Sequence, residues 1–145
     1  MRMRKSLNSA ALALALAMPC SLTAQDSDPD VKSIRDVIGV YFQGHATNKG
    51  DIMRSAFLPT AHIEGLRNGV FTSWTVDEYV ANFRSQPAAD EASRTRVIDV
   101  VDKSGTAAMV RATLKHGPTT FTDYFVLLKV DGKWLIANKV YHAQR

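Results

Sequence analysis

The chain has a single cysteine, Cys20, and it falls within the first two dozen residues. Residues 25–145 therefore hold no thiol, so they can form no disulfide and must rely on an apolar core. Glycine-rich phosphate cradles, GxSxG, HxxxH and HExxH are missing as well. With them go the best-defined signatures of nucleotide binding, serine hydrolysis and zinc catalysis. Charge of one sign is also scarce. Of 18 Lys and Arg, three (Arg2, Arg4 and Lys5) lie in the first five residues, which leaves 15 against 14 Asp and Glu, a net charge of +1. The remaining charges are mixed along the chain, and a basic footprint for nucleic acid is not supported.

The opening residues have their own logic. MRMRK is a basic segment, LNSAALALALAM an apolar one, and SLTA ends in a small residue. This is the plan of a secretory signal peptide over residues 1–24, cleaved after Ala24. The apolar run is short of the roughly 20 residues that a spanning helix needs. Pro19 directly before Cys20 argues against a lipoprotein signal. The expectation is a secreted or periplasmic protein, free of the membrane once cleaved, with one domain over residues 25–145. About 120 residues are enough for one core.

Along that domain, Asp28 can cap a helix with Pro29 in its first turn. Val31, Ile34, Val37, Ile38, Tyr41, Phe42 and His45 follow helical spacing. NKGD closes this helix at Gly50, and DIMRSAF forms a short second one. AHIEGLRNGVFTSW reads as two strands around Asn68-Gly69. Thr75 and Glu78 make a capping box for a third helix, with Val76, Tyr79, Val80 and Phe83 on its buried side. RTRVIDVVD, TAAMVRATLKH and two further strands follow. The order α-α-β-β-α-β-β-β-β predicts an α+β fold with helices on one side of an antiparallel sheet.

The last two strands, FTDYFVLLKV and KWLIANKVYH, flank the turn Asp131-Gly132. A two-residue turn opposes Val130 to Lys133 and, counted back, Leu127 to Ile136, Phe125 to Asn138, Asp123 to Val140 and Phe121 to His142. Those residues share one face, apolar and aromatic near the turn and polar at its far end. An acid buried there needs a donor or stays protonated. The other face, with Tyr124 and Lys139, meets solvent or another subunit.

The helix-first order and the residues Asp123-Tyr124-Phe125, Leu127-Leu128-Lys129, Asp131-Gly132-Lys133-Trp134, Ile136, Asn138-Lys139-Val140 and His142 resemble the nuclear transport factor 2-like superfamily. The resemblance points to its "putative lumazine-binding", SnoaL-like branch. Tyr41-Phe42, Gly50-Asp51 and the Phe57-x-Pro59 region also match. It covers roughly residues 30 to 142, and the last 22 residues are its most specific part. It implies a cone, a strongly bent antiparallel sheet wrapped around a long N-terminal helix, with a pocket at the wide end.

Asp123 and His142 are the candidate catalytic pair, a proton donor and acceptor toward a small ligand; the alternative is a buried polar pair that fixes register. Tyr41, His45, Phe125, Trp134 and Asn138 are the candidate ligand-binding residues. His62 and Glu64 point the same way on a short strand, but with so few histidines no metal is expected. The resulting reading is a domain that binds a small apolar or aromatic molecule, dimerises, and uses at most cofactor-free acid–base chemistry of isomerase, dehydratase or cyclase type. A non-enzymatic dimeric interaction module with a filled core is the alternative.

Overall fold

The computed structural model describes residues 28–145 apart from residue 68. The signal-peptide reading of residues 1–24, and Asn68 of the first turn, lie outside the described residues. Helix α1 spans Pro29–Thr47, α2 Gly50–Ser55 and α3 Val76–Val80. The strands are β1 His62–Arg67, β2 Val70–Thr75, β3 Thr95–Ser104, β4 Ala107–His116, β5 Thr119–Val130 and β6 Lys133–Gln144. They form one bent, unclosed sheet in the order β2-β1-β6-β5-β4-β3. Neighbours run antiparallel except β1 and β6, which run parallel. The α+β cone expected from the sequence is the architecture observed.

Helix α1 starts as its sequence dictates. Asp28 caps it by accepting a hydrogen bond from the Asp30 amide at 2.8 Å, and Pro29 occupies the first turn. Val31, Ile34, Ile38 and Tyr41 form its buried stripe, and Gly44, also buried, faces α2. Burying an isoleucine such as Ile34 or Ile38 is worth about 1.5–3 kcal/mol, so this stripe is a main contribution to holding α1 in the core. The helix ends earlier than expected: Asn48, not Gly50, takes the left-handed conformation (φ 53°), and Gly50 begins α2. Asparagine tolerates that conformation better than most residues, and here its Nδ2 donates to the Gln86 carbonyl at 2.8 Å. At Gly44 a Cβ would lie 2.9 Å from the Met53 Cα, so glycine is what lets α2 fold back against α1.

Thr75 and Glu78 form the reciprocal capping box of α3: Thr75 N–H donates to Glu78 Oε2 at 2.8 Å, and Glu78 N–H to Thr75 Oγ1 at 3.3 Å. Asp131 (φ 50°) and Gly132 (φ 78°) make the two-residue turn between β5 and β6. Both positive φ values fit the turn whose twist matches paired strands.

The register of that hairpin departs from expectation halfway along. Leu127 opposes Ile136, but Val126 opposes Asn138, so Ala137 is an extra residue bulged out of β6. Everything beyond it slips by one. Phe125 opposes Lys139, Asp123 opposes Tyr141 and Thr122 opposes His142. Because side chains alternate with period two, Lys139 and Tyr141 turn inward, while Val140 and His142 leave the face assigned to them.

The bulge sits where β6 changes its partner. Before it, Ile136 exchanges backbone hydrogen bonds with Ala56 and Leu58; after it, Lys139 pairs with Ile63 of β1. Asn138 bridges the change, with its Oδ1 accepting from the His62 amide at 3.0 Å and its Nδ2 donating to Glu64 Oε2 at 3.1 Å.

Candidate functional site

Past the bulge, the inner face of the sheet carries rows of side chains whose order follows from register. Ala112 of β4, Asp123 of β5, Tyr141 of β6 and Gly65 of β1 lie side by side. One step toward the chain end come Leu114, Phe121 and Ala143, then His116 and Thr119. Gly65 is required here: a Cβ would fall 2.6 Å from the Tyr141 ring, which leans across β1.

Asp123 is 1% exposed and is bound on one oxygen only. Its Oδ2 accepts from Tyr41 O–H at 2.7 Å and from Lys139 Nζ at 2.9 Å. Lys139, 5% exposed, also donates to the Tyr41 hydroxyl at 2.7 Å, and its ammonium lies 5.1 Å from the centroids of both the Tyr41 and Tyr141 rings. Here is the donor set that a buried acid demanded. The second oxygen, Oδ1, is buried with no hydrogen-bond partner among the described residues, and so is Nε2 of His116.

Helix geometry extends the cluster. His45 lies one turn beyond Tyr41, and its Nε2 is 3.0 Å from the Tyr41 hydroxyl and 3.1 Å from that of Tyr79 on α3. A continuous chain of polar contacts thus runs from Tyr79 through His45 and Tyr41 to Asp123.

Burial sets the protonation states. It holds His45 well below the usual histidine range, with the positive charge of Lys139 adding to the effect. It lowers His116 to about 4, helped by Arg96 and Arg94. Both rings are neutral at pH 7. Burial also pushes Tyr41 well up, with the Asp123 charge adding, and raises Tyr79 against the pull of Lys139. For Lys139, burial opposes the charge, but Asp123 together with Tyr79 outweighs it and the pKa rises. Lys139 is an ammonium.

These groups form the inner end of a cavity of about 670 Å³. Its walls include Ile63, Trp74, Leu114, Phe121 and Tyr141, and it reaches the exposed residues Arg67, His142 and Arg145.

The structure brings together some of the residues singled out from the sequence and separates others. Tyr41, His45 and Asp123 share the cavity. His142 lies at the exposed rim, and the hydrogen bonds of Asp123 go to Tyr41 and Lys139 instead. Phe125 is fully buried behind Tyr41, with ring centroids 4.9 Å apart, and does not line the cavity. Trp134 is buried near the turn end, beside a second hollow walled by Val37 and Val40. Asn138 fastens β1. Among the described residues, no group of three or more His, Cys, Asp or Glu side chains is placed to hold a metal ion.

Sequence reading missed Lys139, Tyr79 and His116. The count from the turn puts Lys139 on the outer face, and the bulge overturns that. The only available signal was the need of a buried Asp123 for a cation.

Comparison with known proteins agrees with this architecture. Residues 29–142 match the family model described as "putative lumazine-binding". A nuclear transport factor 2-like protein of unknown function from Methylobacillus flagellatus KT is 30% identical, with a TM-score of 0.73 over 82% of this chain and 95% of that one. A similar protein from Shewanella baltica OS155, also of unknown function, is 30% identical, with a TM-score of 0.70 over 80% and 94%. The aldolase FrzH of Cladobotryum sp is 28% identical over 107 residues, 71% of this chain and 84% of that protein. With its cone, its terminal hairpin and a family match across nearly all described residues, the chain belongs to the "putative lumazine-binding" family of the nuclear transport factor 2-like superfamily.

Proposed function

We propose that the chain binds a small, largely apolar ring compound in this cavity and acts on it by cofactor-free proton transfer, with Asp123 as the acceptor. One observation carries the reading: the cavity ends on a buried carboxylate whose Oδ1 has no partner among the described residues. An unpaired buried acceptor is costly, and a ligand O–H, N–H or acidified C–H would complete it. The volume suits a small molecule, and the apolar walls suit a ring. The family description and the aldolase relative support a small-molecule site, since aldol chemistry turns on removing a proton beside a carbonyl.

Lys139 sets a positive charge against the buried Asp123 carboxyl, with Nζ donating to Oδ2 at 2.9 Å. As an ammonium it has no lone pair with which to attack a carbonyl, so the electrostatic role is the one its state allows. Tyr41 fixes the orientation of the carboxylate, and the Tyr79–His45–Tyr41 chain gives a transferred proton a path between cavity wall and base. The cavity beside the packed core supports the binding reading over the filled-core alternative.

The test compares Asp123→Asn with the double variant Asp123→Asn/Lys139→Met in ligand screening by calorimetry and in thermal melts. The double variant is expected to fold and still fail to bind. Wild-type binding by a folded double variant would remove Asp123 from the site.

Two further features belong to the proposal. The outer face of β5 and β6 presents Tyr124, Val126, Leu128, Val130 and Val140, each 40–49% exposed, which favours a homodimer through this face. The leader points to an exported protein; N-terminal sequencing of material from the cell exterior or periplasm should start at Gln25, and retention of the intact chain in the cytosol would overturn export.

A further inference from the structure

The inner-face rows do not end at Asp123. On β1, Ile63 and Gly65 pair with Lys139 and Tyr141 of β6, and the next residue of the same parity is Arg67. On β6 the inward parity passes from Tyr141 to Ala143, and Arg145, the residue just after the strand, continues it. Both arginines line the cavity, and neither has a hydrogen-bond or ion-pair partner among the described residues. Asp123 is the lone acid of the lining, and Lys139 neutralises it. The side chains at the mouth are thus cationic, while the walls between mouth and base are mostly apolar, with His116 and Thr119 the polar residues among them.

We infer that the ligand is a ring carboxylate of two polar ends: a hydroxyl or other donor against Asp123 Oδ1, and a carboxylate at the mouth held by Arg67 and Arg145. The inference rests on the small-molecule reading above and names its substrate class. Arginine suits the role because its planar fork meets a carboxylate with two parallel hydrogen bonds. The scale also fits. Four residues of extended chain separate Tyr141, opposite Asp123, from Arg145, about 13 Å along the strand, and two separate Gly65, opposite Tyr141, from Arg67, about 7 Å along its own strand. Arginine side chains are long enough to span part of those distances, which leaves room for a skeleton of about two fused rings. The inner end carries no spare charge, because the Asp123–Lys139 pair is neutral and both histidines are uncharged, so the anionic group of such a ligand belongs at the mouth.

The experiment titrates the protein by calorimetry with three probes of one skeleton: 6-hydroxy-2-naphthoic acid, its methyl ester and 2-naphthol. The acid is expected to bind about tenfold more tightly than the ester at low salt, as a charge-assisted contact at a partly screened mouth allows. That preference should shrink in high salt and vanish in Arg67→Gln/Arg145→Gln, whose melting temperature shows that it is folded. Equal binding of acid and ester, or a preference that survives in the folded double variant, would overturn the carboxylate inference and leave the pocket reading standing. If none of the three binds, the pocket reading falls, and the inference with it.

Discussion

At the scale of single residues, the site turns on how a carboxylate and an ammonium are kept together out of water. Each is stable because of the other, so removing one should cost more than removing both. Asp123→Asn strands the Lys139 ammonium, and Lys139→Met strands the carboxylate; each is expected to destabilise the fold by about 3–5 kcal/mol. The double variant Asp123→Asn/Lys139→Met should recover much of that loss in urea titrations, a coupling that strictly additive single effects would contradict. A second consequence concerns pH. His116 has a folded pKa of about 4 against the usual 6.5, so between those values the unfolded chain binds more protons than the folded one. Stability therefore falls as pH drops from about 6.5 toward 4, and His45, also held low, steepens the fall. Replacing His116 with Gln should flatten part of this slope in melts taken from pH 7 to pH 4, and an unchanged slope would show that the ring is not held neutral by the fold.

At the scale of elements, what was legible in the sequence and what was not have separate causes. The Thr75–Glu78 box, the Asp28 cap and the Asp131-Gly132 turn are local: a few residues satisfy one another's hydrogen bonds, so the sequence alone announces them. The bulge at Ala137 is not local. Its occasion is the change of β6 from pairing with residues 56–58 to pairing with β1, and that partner comes from 70 or more residues away. Counting back from the turn gives the right register for Leu127 and the wrong one for Asp123, and so puts Lys139 and Tyr141 on the face opposite to the one they occupy. The inward placement of Tyr141 depends in turn on Gly65. Gly65→Ala should force the ring away at a cost of about 1–3 kcal/mol. Adding Tyr141→Ala should remove most of the penalty specific to Gly65, because the obstructing ring is gone; a penalty that persists in the Tyr141→Ala background would place the strain in the backbone of β1 instead.

At the scale of the whole molecule, the bent sheet has two faces with opposite tasks. The inner face encloses α1 and the cavity, and the same alternation that turns Asp123, Phe125 and Leu127 inward turns Tyr124, Val126 and Leu128 out. Val140 joins them because of the bulge: once β6 slips by one, it stands opposite Tyr124 on the outer side. The device that brings Lys139 to the cavity therefore also adds an apolar residue to the outer patch. An outer face of exposed valine, leucine and tyrosine on adjacent strands is the kind of surface a second copy would cover. A charge placed in its middle should act on association without disturbing the core. Val126, at 49% exposed, is the choice. Val126→Lys is expected to shift sedimentation from dimer to monomer at micromolar concentration, with binding in the cavity retained because the side chain points away from it. A wild-type chain that sediments as a monomer across all accessible concentrations would show that the outer face has another use.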